Sequence, residues 1–119
     1  MSFYEITDWQ SNENTAKATI KLDANDPLFK GHFPHLPILP GACMVQLTHH
    51  LLDKAIGQKT TFVKSGAIKF LIPVNPLTEP ELTAQLKFQA AEDGSYKVEQ
   101  NLTRGDLIFF KFSGLYQKH

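Results

Sequence analysis

The sequence has little cysteine, no net charge and no long apolar run. Its single cysteine, Cys43, excludes an internal disulfide and fits a reducing compartment. Lysine plus arginine and aspartate plus glutamate number 12 each, so no excess of positive charge favours a nucleic-acid partner. No stretch approaches the roughly 20 apolar residues that span a bilayer. The first ten residues also lack the basic and apolar regions of a signal peptide. We therefore expect a cytoplasmic protein that binds neither nucleic acid nor membrane.

The length of 119 residues predicts a single domain that spans residues 1–119. Residues 41–56 contain no proline and are apolar on most faces, and Gly57 then supplies a stop. This pattern predicts one long helix that is more buried than amphipathic. Apolar patterns bounded by turn residues predict strands at 15–22, 61–74, 81–90, 96–103 and 107–116. The second of these strands should bend near Gly66. The fold class is therefore α+β, with the helix against an antiparallel sheet that could wrap it.

Residues 31–50 hold an unusual concentration of histidine and proline. Three prolines at 34, 37 and 40 stiffen the segment that carries His32, and an imidazole is suited to proton transfer near neutral pH. Pro40 and Gly41 then open the helix, whose first N–H groups lack internal partners and carry positive partial charge. A base beside such donors suits proton abstraction next to a carbonyl group. The alternative interpretation is a rigid turn whose imidazole only bonds the backbone.

The stretch DPLFKGHFPHLPILPGACMVQL resembles the active-site segment of the hot-dog-fold 3-hydroxyacyl-acyl carrier protein dehydratases. The positions that match this family in register are Phe29, Gly31, His32, Phe33, Pro34, Pro37, Pro40 and Gly41. The later stretch IKFLIPVNP is similar to a second segment of these enzymes, in which a Lys-Phe pair precedes a Pro-Val strand end. The resemblance implies a hot-dog fold, in which a long central helix is wrapped by an antiparallel sheet.

The resemblance also implies roles for particular residues. His32 would be the base that removes a proton from Cα of a 3-hydroxyacyl thioester, and the Gly41 N–H would polarise the thioester carbonyl. The substrate-binding residues that it implies are Phe33, Pro40, Ala42 and Val45. The thioester would arrive on an acyl carrier protein. The protein would be a homodimer or a trimer of dimers, with each site completed by two subunits.

Neither a metal nor a cofactor is expected. His32 and His35 lack carboxylate or cysteine partners at a recognisable spacing, and His49 and His50 are adjacent, so they face different sides of a helix. Cys43 lies on the first helical turn, where we expect a small filling side chain rather than a reactive thiolate.

The sequence departs from the family at Gln46, which stands fourteen positions after His32, where the dehydratases carry an acidic residue. An amide cannot give up a proton near neutral pH, and a general acid typically contributes about 10²–10⁴-fold in rate. His50 lies one helical turn beyond Gln46 on the same face and could donate a proton as an imidazolium. It could equally be a helix histidine bonded to backbone or solvent. His49 points about 100° away and is the poorer candidate.

Gln46 leaves more than one class of function open. The preferred interpretation is a dehydratase that eliminates water from a 3-hydroxyacyl thioester in fatty acid or related acyl-chain biosynthesis. The alternative is a catalytically impaired subunit that binds acyl thioesters or supports a partner dehydratase. A thioesterase is the least favoured class, because its helix carboxylate is missing and Asp53 lies two turns beyond Gln46.

Overall fold

A computed structural model describes residues 3–29 and 37–119 of the chain. Within these ranges one long helix accompanies six strands. Their bounds in chain order are β1 Tyr4–Ser11, β2 Thr15–Leu22, α1 Gly41–Ile56, β3 Thr60–Phe70, β4 Glu81–Ala90, β5 Ser95–Arg104 and β6 Leu107–Lys118. A short 3₁₀ turn at Pro27–Phe29 lies between β2 and α1. The predicted bounds of β2, α1 and β4 are confirmed.

The strands form one antiparallel sheet in the order β1-β2-β4-β5-β6-β3. Alternate residues of β2 and β4 are buried, as their apolar alternation predicts. The buried residues that α1 contributes to the interior are Met44, Leu47, Thr48, Leu51 and Leu52. Each fully buried leucine stabilises the fold by roughly 1.5–3 kcal/mol relative to an exposed one. The helix therefore lies against one face of the sheet, as the predicted α+β class requires.

The helix is bounded by the residues that the sequence singled out. Pro40 is its N-cap in an extended conformation, and Gly57 follows its last residue with a φ of 67°. The Gly57 N–H donates to the Asp53 carbonyl at 2.9 Å, so a left-handed glycine closes the final turn. The expectation of a mostly buried helix is wrong for this chain taken alone. Ala42, Gln46 and His50 are exposed, because the sheet covers only one side of α1.

The strand predicted at 61–74 differs from the structure at its end. The register of β3 on β6 shifts between Ser65 and Ile68, which confirms the bend near Gly66. β3 ends at Phe70, however, and the Val74 carbonyl accepts a hydrogen bond of 2.8 Å from the Leu39 N–H. The Leu71 N–H still donates to the Phe109 carbonyl of β6 at 2.9 Å, so the chain leaves β6 only beyond this point, and Val74 then fastens the segment that precedes α1.

β1 was not predicted from the sequence. A register shift between Ile6 and Asp8 marks a bulge in its pairing with β2. The bulge puts Tyr4, Ile6 and Trp9 at half-buried positions, although Trp9 breaks the two-residue alternation. An alternation test on the sequence alone therefore misses this strand.

β3 forms one edge of the sheet and is exposed along nearly its whole length. Only Thr60 among its residues is buried. The exposed apolar side chains here and just beyond are Phe62, Val63, Ile68, Phe70, Leu71 and Ile72. An exposed apolar edge of this length is unusual, because its free backbone groups can pair with another chain. Over the part of the chain that the structure describes, no helix is long and apolar enough to cross a membrane.

Candidate active site

Pro40, the N-cap residue of α1, makes no side-chain hydrogen bond to the first helical turn. The first helical hydrogen bonds run from the Cys43 and Met44 N–H groups to the Pro40 carbonyl, at 3.0 and 3.3 Å. The N–H groups of Gly41 and Ala42 come before these bonds and have no intrahelical acceptor. No side chain of the N-cap residue bonds to this turn, because Pro40 has none that can accept. The start of α1 therefore offers backbone donors at the positive end of the helix dipole.

Phe70 explains why residue 41 is a glycine. A Cβ atom at this position would lie 2.6 Å from Cζ and 2.7 Å from Cε1 of the Phe70 ring. The ring stacks on Phe110 at 5.4 Å between centroids and remains 56% exposed. Gly41 thus lets the aromatic ring lie directly beside the first helical turn, which makes that wall of the candidate site apolar.

The segment before the helix is anchored at its described end. Leu39 is 1% exposed and its N–H donates to the Val74 carbonyl at 2.8 Å. This contact holds Pro40 in place relative to the end of β3. The predicted base His32 and the predicted substrate-binding residue Phe33 lie outside the described residues. Their assigned roles therefore stay predictions.

The remaining predicted residues lie on one part of α1. Pro40 and Val45 are half-buried, while Ala42 and Gln46 are exposed. His50 is also exposed and lies one turn after Gln46, on the same helix face. Gly41, Gln46 and His50 thus follow one another along a single helix, with the backbone donors at its start and the two polar side chains one and two turns or more further along.

His50 is held by a residue that the sequence analysis did not single out. The Tyr4 hydroxyl lies 3.0 Å from Nδ1 of His50, and the two rings are 6.4 Å apart between centroids. Burial raises the pKa of Tyr4, so its hydroxyl keeps its proton at neutral pH. One turn later, the Lys54 ammonium lies 5.1 Å from the centre of the Trp9 ring. β1 therefore flanks the His50 side of the helix through two specific contacts.

His49 points about 100° around α1 from His50 and makes structural contacts. Its Nε2 donates to the Thr60 carbonyl at 2.8 Å and lies 3.7 Å from an Asp53 carboxylate oxygen. The Thr60 hydroxyl in turn donates to Asp53 at 2.7 Å, and the His49 ring lies 5.0 Å from that of Tyr116. These bonds tie the helix to the start of β3.

Cys43 lies near the same end of the helix but is poorly suited to nucleophilic chemistry. Burial raises the pKa of its thiol, and the negative charge of Asp26 raises it further. The thiol therefore stays protonated near neutral pH. Across residues 3–29 and 37–119, no three metal-binding side chains come together.

A comparison with known protein families decides the assignment. A family model described as ApeI-like, ApeI dehydratase, matches residues 8–106. The chain belongs to the ApeI-like family. The resemblance to hot-dog dehydratases is thus confirmed, since the family to which the ApeI-like chain belongs is a dehydratase family.

Similar proteins agree with this family. The 3-hydroxyacyl-[acyl-carrier-protein] dehydratase FabZ of Francisella tularensis subsp. novicida (strain U112) is 30% identical over 90 residues, covering 60% of this chain and 55% of that protein. The FabZ of Francisella tularensis subsp. tularensis (strain SCHU S4 / Schu 4) matches to the same extent. The ApeI-like chain spans about half the length of the curated relatives that it matches.

Solved structures confirm the predicted hot-dog fold. The dehydratase heterocomplex ApeI:P from Xenorhabdus doucetiae superposes with a TM-score of 0.73 at 21% identity, covering 96% of this chain and 97% of that one. The E. coli PaaI protein superposes with a TM-score of 0.69 at 16% identity, covering 94% and 78%. At these identities the likeness concerns the fold of the ApeI-like chain alone.

Two residues that shape the site escaped the sequence analysis. Phe70 stands in the IKFLIPVNP stretch, so its motif was recognised while its contact with Gly41 was not. Tyr4 is 46 positions away from His50 and belongs to the strand that the alternation test misses. No local pattern links Tyr4 to His50, because only the pairing of β1 with β2 brings Tyr4 to the helix.

Proposed function

We propose that the protein eliminates water from a 3-hydroxyacyl thioester on an acyl carrier protein and forms a trans-2-enoyl thioester. The observation that supports this most directly is the uncapped start of α1 at Gly41, followed on the same helix by the exposed pair Gln46 and His50. Donors for a carbonyl oxygen and polar groups for a leaving hydroxyl thus occur in sequence along one helix. Both lie within the span that the dehydratase family model matches.

In this proposal His32 takes the proton from Cα of the thioester. The Cα–H electrons build up on the carbonyl oxygen, which the Gly41 N–H stabilises at the positive end of the helix. The electrons then form the Cα–Cβ double bond, and the Cβ–O bond breaks. The departing hydroxyl takes up a proton and leaves as water. The apolar wall made by Phe70 would exclude bulk water from the carbonyl.

The leaving hydroxyl needs a proton donor, and Gln46 cannot be one. Its amide can orient the hydroxyl or a water molecule by donating a hydrogen bond. His50 shares the exposed face with Gln46, and as an imidazolium it can supply the proton, directly or through a water. We therefore assign the orienting role to Gln46 and the acid role to His50.

The site is proposed to lie between two chains. The exposed face of α1 and the exposed apolar edge of β3 are both left uncovered by the sheet of this chain. A second hot-dog chain that pairs along β3 would cover the edge and bring another set of site residues toward the helix. We propose a homodimer, or a trimer of such dimers, as the working assembly.

The second candidate is a support subunit that binds acyl thioesters for a partner dehydratase. Gln46 favours it, because an amide replaces the acid at an otherwise intact helix start. A structural neighbour is itself described as a dehydratase heterocomplex. A thioesterase is less favoured still. The carboxylate of Asp53 accepts a hydrogen bond from the Thr60 hydroxyl and does not lie beside Gly41 at the start of the helix.

The deciding experiment follows hydration of an enoyl thioester by the loss of its conjugated absorbance, with several acyl lengths. Wild type, His32→Ala, His50→Ala and Gln46→Glu are compared as folded proteins. The proposal expects wild-type activity that falls in both histidine variants. Activity that appears only in Gln46→Glu would support the impaired-subunit alternative. Inactivity of all four proteins would overturn stand-alone dehydration.

A further inference from the structure

We propose that Tyr4 is a positioning residue for His50: it occupies Nδ1 and leaves Nε2 as the proton-bearing nitrogen on the Gln46 face. The catalytic part of this inference rests on the proposed function, in which His50 is the acid. Its structural part concerns only the hydrogen bond between β1 and α1, and can be tested in the resting protein.

The contact is specific in its atoms. The Tyr4 hydroxyl approaches one ring nitrogen of His50, Nδ1, at 3.0 Å, which is within hydrogen-bond range. An imidazole has two ring nitrogens, so this bond leaves Nε2 as the nitrogen available to other groups. His50 itself is exposed on the face that carries Gln46. The bond therefore fixes which end of the ring can serve a ligand on that face.

A phenol suits both charge states of the imidazole. When the neutral ring carries its proton on Nε2, the Tyr4 O–H donates to the bare Nδ1. When His50 is an imidazolium, Nδ1–H donates and the phenol oxygen accepts. Because burial raises the pKa of Tyr4, the hydroxyl does not ionise across the neutral range and remains available for both bonds. In the imidazolium, which is the state that can act as an acid, Nε2 carries the proton that is not bonded to Tyr4.

The charged groups around His50 are engaged elsewhere. Lys54, one turn along α1, lies over the Trp9 ring of β1 at 5.1 Å. Asp53, three positions after His50, accepts a hydrogen bond from the Thr60 hydroxyl at 2.7 Å and lies 3.7 Å from Nε2 of His49. Tyr4 is therefore the polar contact that distinguishes the two His50 nitrogens among the residues that the structure describes. A competing explanation is that Tyr4 merely fastens the edge strand β1 to the helix.

The first test is a spectrum of the resting protein. In ¹⁵N-labelled wild type, with the His50 signals assigned by their loss in His50→Gln, we expect the neutral ring to carry its proton on Nε2 and Nδ1 to show the shift of a bonded acceptor. Tyr4→Phe should move Nδ1 toward the value of a free nitrogen. Tyr96→Phe removes a half-buried phenol from β5 and should leave the signal unchanged. A proton on Nδ1 in wild type, or no change in Tyr4→Phe, would overturn the inference.

The second test separates positioning from fastening. Tyr4→Phe should lower kcat about threefold to tenfold with little change in KM, which is the scale of one hydrogen bond. The same substitution in a His50→Gln background should have no further effect on kcat, because its action passes through His50. An equal loss in both backgrounds would show a structural strap and overturn the catalytic part. An inactive wild type would refute the proposed function and this catalytic part, while the spectrum still decides the structural one.

Discussion

The ring of Phe70 fills the space in which a side chain at Gly41 would stand. Its Cζ atom is 2.6 Å from the position of a Cβ on that glycine, well inside any van der Waals contact. The start of the helix and the end of β3 are thus fitted to each other, although the sequence separates them by the whole of α1 and β3. The glycine at the helix start is thus explained by packing against this ring.

Gly41→Ala should therefore destabilise the protein. An alanine is a better helix former than glycine, but overpacking against the ring costs about 1–3 kcal/mol and outweighs that gain. The measurement is urea unfolding of the single variant and of Gly41→Ala combined with Phe70→Leu. The double variant should recover part of the loss relative to Phe70→Leu alone. A single variant as stable as wild type would show that the ring moves away at no cost.

Gln46→Glu should raise the hydration rate if His50 is a poorer acid than a carboxylic acid in that position. Because His50 already supplies part of the acid catalysis, the increase should fall short of the roughly 10²–10⁴-fold that a general acid contributes in full, and most of it should persist in His50→Ala. Gln58→Glu, at an exposed position beyond the helix, is the matched control for the added charge. A rate that falls in Gln46→Glu would mean that the amide has an orienting role that a carboxylate cannot replace.

Tyr116→Phe should change how stability depends on alkaline pH. Burial raises the pKa of Tyr116, and the charge of Asp53 raises it further. The folded protein then keeps a proton that the unfolded chain releases near pH 10, so the free energy of unfolding falls above that pH, by up to about 1.4 kcal/mol per pH unit.

The Tyr116→Phe variant should show a shallower fall in urea unfolding between about pH 10 and 11. Near pH 7 it should be as stable as wild type or more so, because the buried hydroxyl has no hydrogen-bond partner among the described residues. Tyr96→Phe, at a half-buried position, should keep the wild-type slope. Identical slopes in all three proteins would contradict this account of Tyr116.

Ile68→Lys should weaken self-association. Ile68 is 38% exposed in the edge strand, and a charge there would be buried if a second chain paired along β3. Light scattering coupled to size exclusion should give a dimer or larger assembly for wild type and a smaller species for the variant. Leu77→Lys, at a 67% exposed position in the loop before β4, should behave as wild type. A monomeric wild type would remove the basis for a shared site.

The sequence was sufficient for those elements whose signals are local. α1 could be placed to the residue because Pro40 and Gly57 mark its ends, and β2 and β4 alternate without interruption. β1 could not be found, since its bulge disrupts the alternation. The pairing of Gln46 with His50 follows from helical geometry alone, whereas the approach of Tyr4 to His50 depends on strand pairing, which single-residue patterns do not encode.

The exposed face of α1 was hidden from the sequence for a related reason. Its apolar residues suggested burial on most sides, yet the sheet of one chain covers only one of them. An apolar composition indicates that a surface can be buried, but not whether this chain or a second chain buries it. The same ambiguity applies to the apolar residues of β3, which lie exposed on the edge of the sheet.

The hydrogen bond between Leu39 and Val74 has a consequence for folding order. Leu39 precedes α1 and Val74 follows β3, so this bond closes a long loop. The entropy cost of closing the loop is offset only after α1 and β3 have packed. Local structure such as the helix can form early, but the segment leading into Gly41 reaches its final position late. The start of α1 should accordingly be among the last parts to assemble and the first to loosen when the protein is destabilised.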